Sequence, residues 1–184
     1  MKKQFTSIRR WLIFFMIALF LSGLTAIPAE AELSFLCRLF PLRTAMGEWL
    51  DRVYTGVHQT NINYPFIAYG YDWLAFAHFV LAILFIGPYR DPVRNKWVIE
   101  FGMIACVLII PFALIAGQSR GIPLEWRLID CSFGVAGLIP LSICLKKICE
   151  IEREQEKPIQ TDDEFFETAI TGKDKTTNIQ WKQH

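Results

Sequence analysis

Four stretches of this chain are too apolar and too long to leave in water: Trp11–Ile27, Trp73–Pro88, Phe101–Gly117 and Leu128–Leu145. A helix rises about 1.5 Å per residue, so a hydrocarbon core of roughly 30 Å takes about 20 residues to cross, with a lower limit near 17. Extended to their polar flanks, the stretches make spans of about residues 11–27, 71–88, 97–117 and 128–146, the second near the limit. The expected fold is an all-α, four-helix transmembrane bundle. A hydrophobic share of 53% against 20% charged agrees with that, and 184 residues hold one bundle with flanking segments, not two domains.

The net charge of +1 hides a sorted distribution. Lys2, Lys3, Arg9 and Arg10 precede the first span with no acid among them; Arg90, Arg94 and Lys96 face only Asp91 between the second and third; Lys146 and Lys147 follow the fourth. The other connectors are less basic. Residues 28–69 hold Arg38, Arg43 and Arg52 against Glu30, Glu32, Glu48 and Asp51, and residues 118–127 hold Arg120 and Arg127 against Glu125. Basic residues favour the cytoplasmic side, so both termini are expected inside, with a long first loop and a short second loop outside. The first span has a rival reading as a secretory signal ending at Ala29-Glu30-Ala31. Its apolar run of 17 residues exceeds the usual h-region of about 7–15, which favours an uncleaved anchor.

The long first loop carries helical periodicity. From Ala45 to Gln59, Met46, Trp49, Leu50, Val53 and Val57 recur at helical spacing, and Glu48 and Arg52 stand four apart. A short amphipathic helix on the outer surface, or capping the bundle, is expected there. Residues 33–40 are apolar enough to lie against the bilayer before Pro41 interrupts, and residues 61–65 read as irregular chain. Gly87-Pro88 is expected to close the second span, with Asp91-Pro92 capping the third. Residues 117–123 punctuate the next turn, and Tyr69, Tyr71, Trp73, Trp97 and Trp126 fall at membrane interfaces. Residues 149–184 form a charged cytoplasmic tail, expected to extend the fourth helix briefly and then lose order; Phe165 and Phe166 are its one docking candidate. The five cysteines contain no C-x-x-C pair and are expected to be free.

Charge at membrane depth is costly, which singles out a candidate polar site of Asp72, His78, Glu100, Arg127 and Asp130. Arg127 precedes Asp130 by one helical turn and is expected to link it to Asp72 in a network that pins helix register. Glu100 is expected to pair with Lys96 or Arg94, and His78, near mid-span beside Ala75 and Ala82, to bond across helices. Gly134, Ala136 and Gly137 permit close helix approach, and Pro111 and Pro140 are candidate kinks. No catalytic, cofactor-binding or metal-binding residue is assigned. A bis-histidine haem needs a second axial ligand, yet His58 lies in the loop and His184 ends the tail. Zinc wants three or four ligands in register. Serine-nucleophile, H-E-x-x-H, Walker A and dinucleotide motifs are missing.

The block Tyr69-Gly-Tyr-Asp-Trp-Leu-Ala-Phe-Ala-His78, then Gly87-Pro-Tyr-Arg-Asp-Pro-Val-Arg-Asn-Lys-Trp97 and Gly121-Ile-Pro-Leu-Glu-Trp-Arg-Leu-Ile-Asp-Cys-Ser-Phe-Gly134, resembles a group of small four-span bacterial membrane proteins. The resemblance covers about residues 1–148. It implies the architecture and a bacterial inner membrane and carries no catalytic role. The leading functional expectation is a non-enzymatic accessory or structural component acting through helix contacts. Its expected partners are the bilayer and a membrane protein or a second copy, not nucleic acid. A small solute or proton-coupled transporter built on Asp72, His78 and Asp130 is the alternative, and a membrane redox or lipid-modifying enzyme a further one.

Overall fold

In hydrocarbon every backbone N–H and C=O must be satisfied within the protein, which leaves helices or closed barrels as spanning elements. This chain takes the helical solution. A computed structural model describes residues 2–40 and 42–156. Its helices are α1 Lys2–Ala26, α2 Ala29–Leu39, α3 Ala45–Asn63, α4 Tyr69–Leu84, α5 Ile86–Arg90, α6 Lys96–Ser119 and α7 Leu124–Glu156, with a 3-10 turn over Pro65–Ile67. Among the described residues four segments are long and apolar enough to cross a membrane: Lys3–Ala26, Pro65–Arg90, Lys96–Ser119 and Leu124–Gln155. The chain is an all-α, multi-pass membrane bundle. Residues Met1–Ile151 form one unit and Glu152–His184 a second, of which only the helical stretch to Glu156 is described. The expected docking pair Phe165 and Phe166, and the rest of the tail, lie outside the described residues.

The tightest packing lies toward the end of the bundle that carries the chain's N-terminus. Ile8, Leu12 and Phe15 of α1 meet Phe85, then Val98 and Ile99 of α6, and Leu141, Cys144 and Ile148 of α7. Phe15 and Phe85 meet edge to face, ring centroids 4.8 Å apart at 61°. Arg9 fastens the same end, donating from Nε to the Tyr89 carbonyl at 3.2 Å with its guanidinium over the Tyr89 ring.

Lipid tails are as apolar as leucine, so small residues that let backbones approach are what bring membrane helices together. Gly134 sits so close to α6 that a Cβ there would lie 2.5 Å from the Cys106 carbonyl oxygen, and one at Gly137 2.7 Å from the Cys106 sulfur. Ala136, grouped with them on the sequence, is exposed instead. Gly23 does the same for α1 and α4, where a Cβ would come within 2.9 Å of the Ala75 carbonyl oxygen. Ala75 and Ala82 are buried.

Several connections differ from expectation. The first loop holds two helices: α2 ends before Pro41, packs against α3, and makes an ordered hairpin of what reads as an apolar surface segment. Thr44 caps α3, its hydroxyl accepting from the Gly47 N–H at 3.0 Å. α3 also runs to Asn63, past the expected irregular start at Asn61, because it is Tyr64, the residue before proline, that leaves the helical region (φ −140°). At the next corner the helix breaks at Phe85, not at Gly87-Pro88, which lie within α5. Pro88 has no N–H for the Leu84 carbonyl, so the ladder fails one turn before the proline. Asp91 caps the turn at the Arg94 N–H (3.1 Å) and not α6, which opens at Lys96. Asn95 ties this corner by donating to the carbonyls of Gly87 and Asp91 at 3.2 and 2.9 Å. Pro111 and Pro140 each sit within a continuous helix, and all five cysteines are free.

α6 ends in a paired C-terminal cap. Gly121 adopts φ +68°, its N–H bonds the Gln118 carbonyl at 3.1 Å, and the Ile122 N–H bonds Gly117 at 2.9 Å. A side chain at that φ costs about 1–2 kcal/mol. Gly121→Ala should therefore lower stability by about 1 kcal/mol, read as a drop in the thermal midpoint in detergent. A variant as stable as the parent would mean the cap does not hold.

Candidate functional site

The α2–α3 hairpin covers the junction between the end of α1 and the start of α4, and a cavity of about 510 Å³ lies beneath it. Glu30, Ser34, Tyr54, Asn61, Tyr71 and Asp72 supply its polar lining, and among the described residues no lysine or arginine lines it. The hairpin brings Glu30, at the start of α2, against the far end of α3. His58 Nδ1 lies 2.6 Å from Glu30 Oε1, and Asn61 Nδ2 donates to Glu30 Oε2 at 2.6 Å. A carboxylate only accepts, so Nδ1 carries the proton in this pair. His58 also stacks on Tyr54, ring centroids 5.7 Å apart at 15°. Asn61 Oδ1 is buried and accepts no hydrogen bond.

The bond from His58, followed by that from Asn61, holds the Glu30 carboxyl below its ordinary value of 4.5. A lowered folded-state value means this clasp stabilises the hairpin fully above pH 4.5 and is lost as pH falls below that through the folded value. The thermal midpoints of the parent and Glu30→Gln should therefore differ at neutral pH and converge in acid. A constant gap down to strongly acidic pH would contradict the assignment.

The five residues singled out from sequence are not gathered in one place. Asp72 lines the hairpin cavity and also an apolar groove of about 250 Å³ formed with Tyr69, Trp73 and Phe76. These three aromatics form an exposed rail down α4, joined by edge contacts with centroids 5.9 and 5.6 Å apart. His78 lines a different cavity, of about 240 Å³, between the spans with Phe14, Ser22, Cys106, Phe133 and Gly137. Its Nδ1 lies 2.8 Å from the Leu74 carbonyl one turn back on its own helix, not from a group across helices. The carbonyl can only accept, so Nδ1 donates and Nε2 is left as the basic nitrogen. Glu100 is exposed near the start of α6.

The expected network of Asp72, Arg127 and Asp130 does not form. Gly117 has no side chain, and the Arg127 alkyl stem fills that trough, its Cδ 2.5 Å from where a Gly117 Cβ would stand. From there Nη1 donates to the Leu114 carbonyl on α6 at 3.1 Å, while Nε is buried without a partner. Asp130, half-buried on α7, lines neither cavity. Among the described residues no group of three or more His, Cys, Asp or Glu side chains converges as metal ligands.

Sequence reasoning misses Glu30 and Asn61 as site residues and weighs His58 only as a haem ligand. The signal is present: His58 and Asn61 are three residues apart on one face of a helix, and the packing of α3 back against α2 returns them to Glu30. No protein-family model, curated protein or solved structure matches the chain.

Proposed function

We propose that this is a non-enzymatic accessory or structural component of a bacterial inner membrane that works through helix contacts, with both termini in the cytoplasm. The observation that carries the reading is the dispersal of the polar groups. Asp72 belongs to the hairpin cavity, His78 to a separate cavity between the spans, and Asp130 to neither. A solute or proton path needs such groups to line one continuous route, because isolated charge in hydrocarbon is costly. Metal-dependent redox or hydrolytic chemistry needs converging ligands, and among the described residues no three or more His, Cys, Asp or Glu side chains converge. The bacterial membrane rests on the sequence resemblance, and the orientation on the basic residues at the start of α1 and around the α5–α6 corner.

The experiment is affinity isolation from native expression in a mild detergent, with identification of what co-purifies. A membrane-protein partner in fixed ratio, or a stable self-associated form, is the expected result. A monodisperse, partner-free chain would overturn the reading.

A further inference from the structure

We propose that the cavity around His78, between the spanning helices, binds the carboxyl end of a long-chain fatty acid, held between His78 Nε2 and the Ser22 hydroxyl. The inference goes beyond the accessory role and stands on the membrane architecture alone.

All four spanning helices wall this cavity, Ser22 from α1, His78 from α4, Ile109 from α6 and Phe133 from α7 among them. Apart from the Cys106 thiol, its polar side chains are Ser22 and His78. The two stand at one level on neighbouring helices: Gly23, next to Ser22, lies so close to α4 that an added Cβ would be 2.8 Å from His78 Cβ. His78 Nδ1 is committed to the Leu74 carbonyl, and Nε2 has no partner among the described residues. Unlike Asn61 Oδ1 and Arg127 Nε, it is not sealed inside the protein, so a ligand can reach it. Ser22 is exposed, and its hydroxyl makes no hydrogen bond among the described residues. His78 stands five residues past the interfacial Trp73, about 7.5 Å deeper along the helix. Lipid tails offer an acceptor at that depth no donor, so a ligand that brings one gains the bond outright.

A basic nitrogen beside a hydroxyl selects an acid. A carboxyl group brings an O–H to Nε2 and a carbonyl to the Ser22 hydroxyl. Because imidazole and carboxyl can each hold the proton, their bond is charge-assisted and roughly twice as strong as a neutral one. A fatty alcohol makes only the neutral bond, and an ester brings no donor. An amine or metal cation finds no carboxylate in the lining. The rest of the wall is apolar, which suits a hydrocarbon chain. At roughly 30 Å³ for a water-sized group, the cavity of about 240 Å³ takes about eight such groups, the carboxyl and the first methylenes. The remainder of a long chain leaves sideways: Phe14 and Phe133 line the cavity and are each more than half exposed on spanning helices, where it opens to lipid. A soluble acid would have to cross hydrocarbon to arrive, and a fatty acid is already dissolved there.

The test is native mass spectrometry of the intact protein in detergent, titrated with palmitic acid, hexadecanol and methyl palmitate. The acid should bind about tenfold more tightly than the ester, the scale of one charge-assisted hydrogen bond, with the alcohol between them. His78→Phe keeps the bulk of a ring without the acceptor and should remove the acid's advantage. Ser22→Ala should lower acid affinity about threefold, the scale of one neutral hydrogen bond. Ser22 is exposed, so its variant remains informative if His78→Phe disturbs the packing against Gly23. Equal binding of acid and ester, an advantage that survives His78→Phe, or an acid affinity unmoved by Ser22→Ala would overturn the proposal. So would hexadecanol binding as tightly as the acid, which would make the site one for hydroxyls, or displacement of palmitic acid by butyric acid at matching concentration, which would make it one for soluble acids.

Discussion

Gly134→Val is expected to destabilise the bundle by about 3 kcal/mol or more, ahead of the loss of any one core side chain. Overpacking usually costs about 1–3 kcal/mol because side chains can shift aside. Here the obstacle is backbone: the first added carbon would already lie 2.5 Å from the Cys106 carbonyl oxygen, inside van der Waals contact. Relief requires moving α6 away from α7, which also separates Gly137 from the Cys106 sulfur and Gly102 from Leu141. No hydrophobic force between helices compensates, since lipid solvates the parted faces as well as protein does. Gly56→Ala is the control, because nothing lies within 4 Å of its added carbon. On an exposed helix that change should be neutral or stabilising by up to about 1 kcal/mol. Thermal midpoints in one detergent decide it, and a Gly134→Val midpoint equal to the parent's would mean that α6 and α7 do not meet at this glycine.

Phe85→Ala should rank second, at about 2–4 kcal/mol. The ring is 2% exposed at the break between α4 and α5, meets Phe15 edge-on, and fills the space left by Gly102 on α6. In a water-soluble core the loss would run to about 3–5 kcal/mol; lipid reduces the transfer part and leaves mainly lost contacts and an unfilled void. A double-mutant cycle with Phe15→Leu should return a coupling of about 0.5–1.5 kcal/mol, the scale of an edge-to-face pair. No coupling would mean that the two rings do not meet as described.

The spans are legible in the sequence because length and hydropathy act through the solvent: a long apolar run has one stable destination whatever its neighbours do. The close approach at Gly134 and Gly137 is legible for a related reason, since small residues have few other uses in a lipid-facing helix. The site is less so. Arg127 and Asp130 stand one turn apart and pair naturally on spacing, but the trough at Gly117 on another helix draws the guanidinium to Leu114. His78 satisfies Nδ1 within its own turn, a choice that spacing cannot distinguish from a bond across helices. The clasp of Glu30 with His58 and Asn61 depends on α2 being a helix that folds back on α3. Residues 33–40 read only as an apolar segment ending at Pro41, so the hairpin and its cavity stay hidden.

Site and packing alike rest on a chain threaded four times through a bilayer, with the α2–α3 hairpin on one side and the α5–α6 corner on the other. Single-cysteine variants in sealed vesicles of known orientation, treated with a membrane-impermeant maleimide, test it most directly. Cys37 and Glu125→Cys should react from one side, and Lys3→Cys and Arg94→Cys only from the opposite side or after the vesicles are opened. Reaction of Cys37 and Arg94→Cys from the same side of intact vesicles would contradict the threading, and the hairpin cleft would lose its place at the membrane surface.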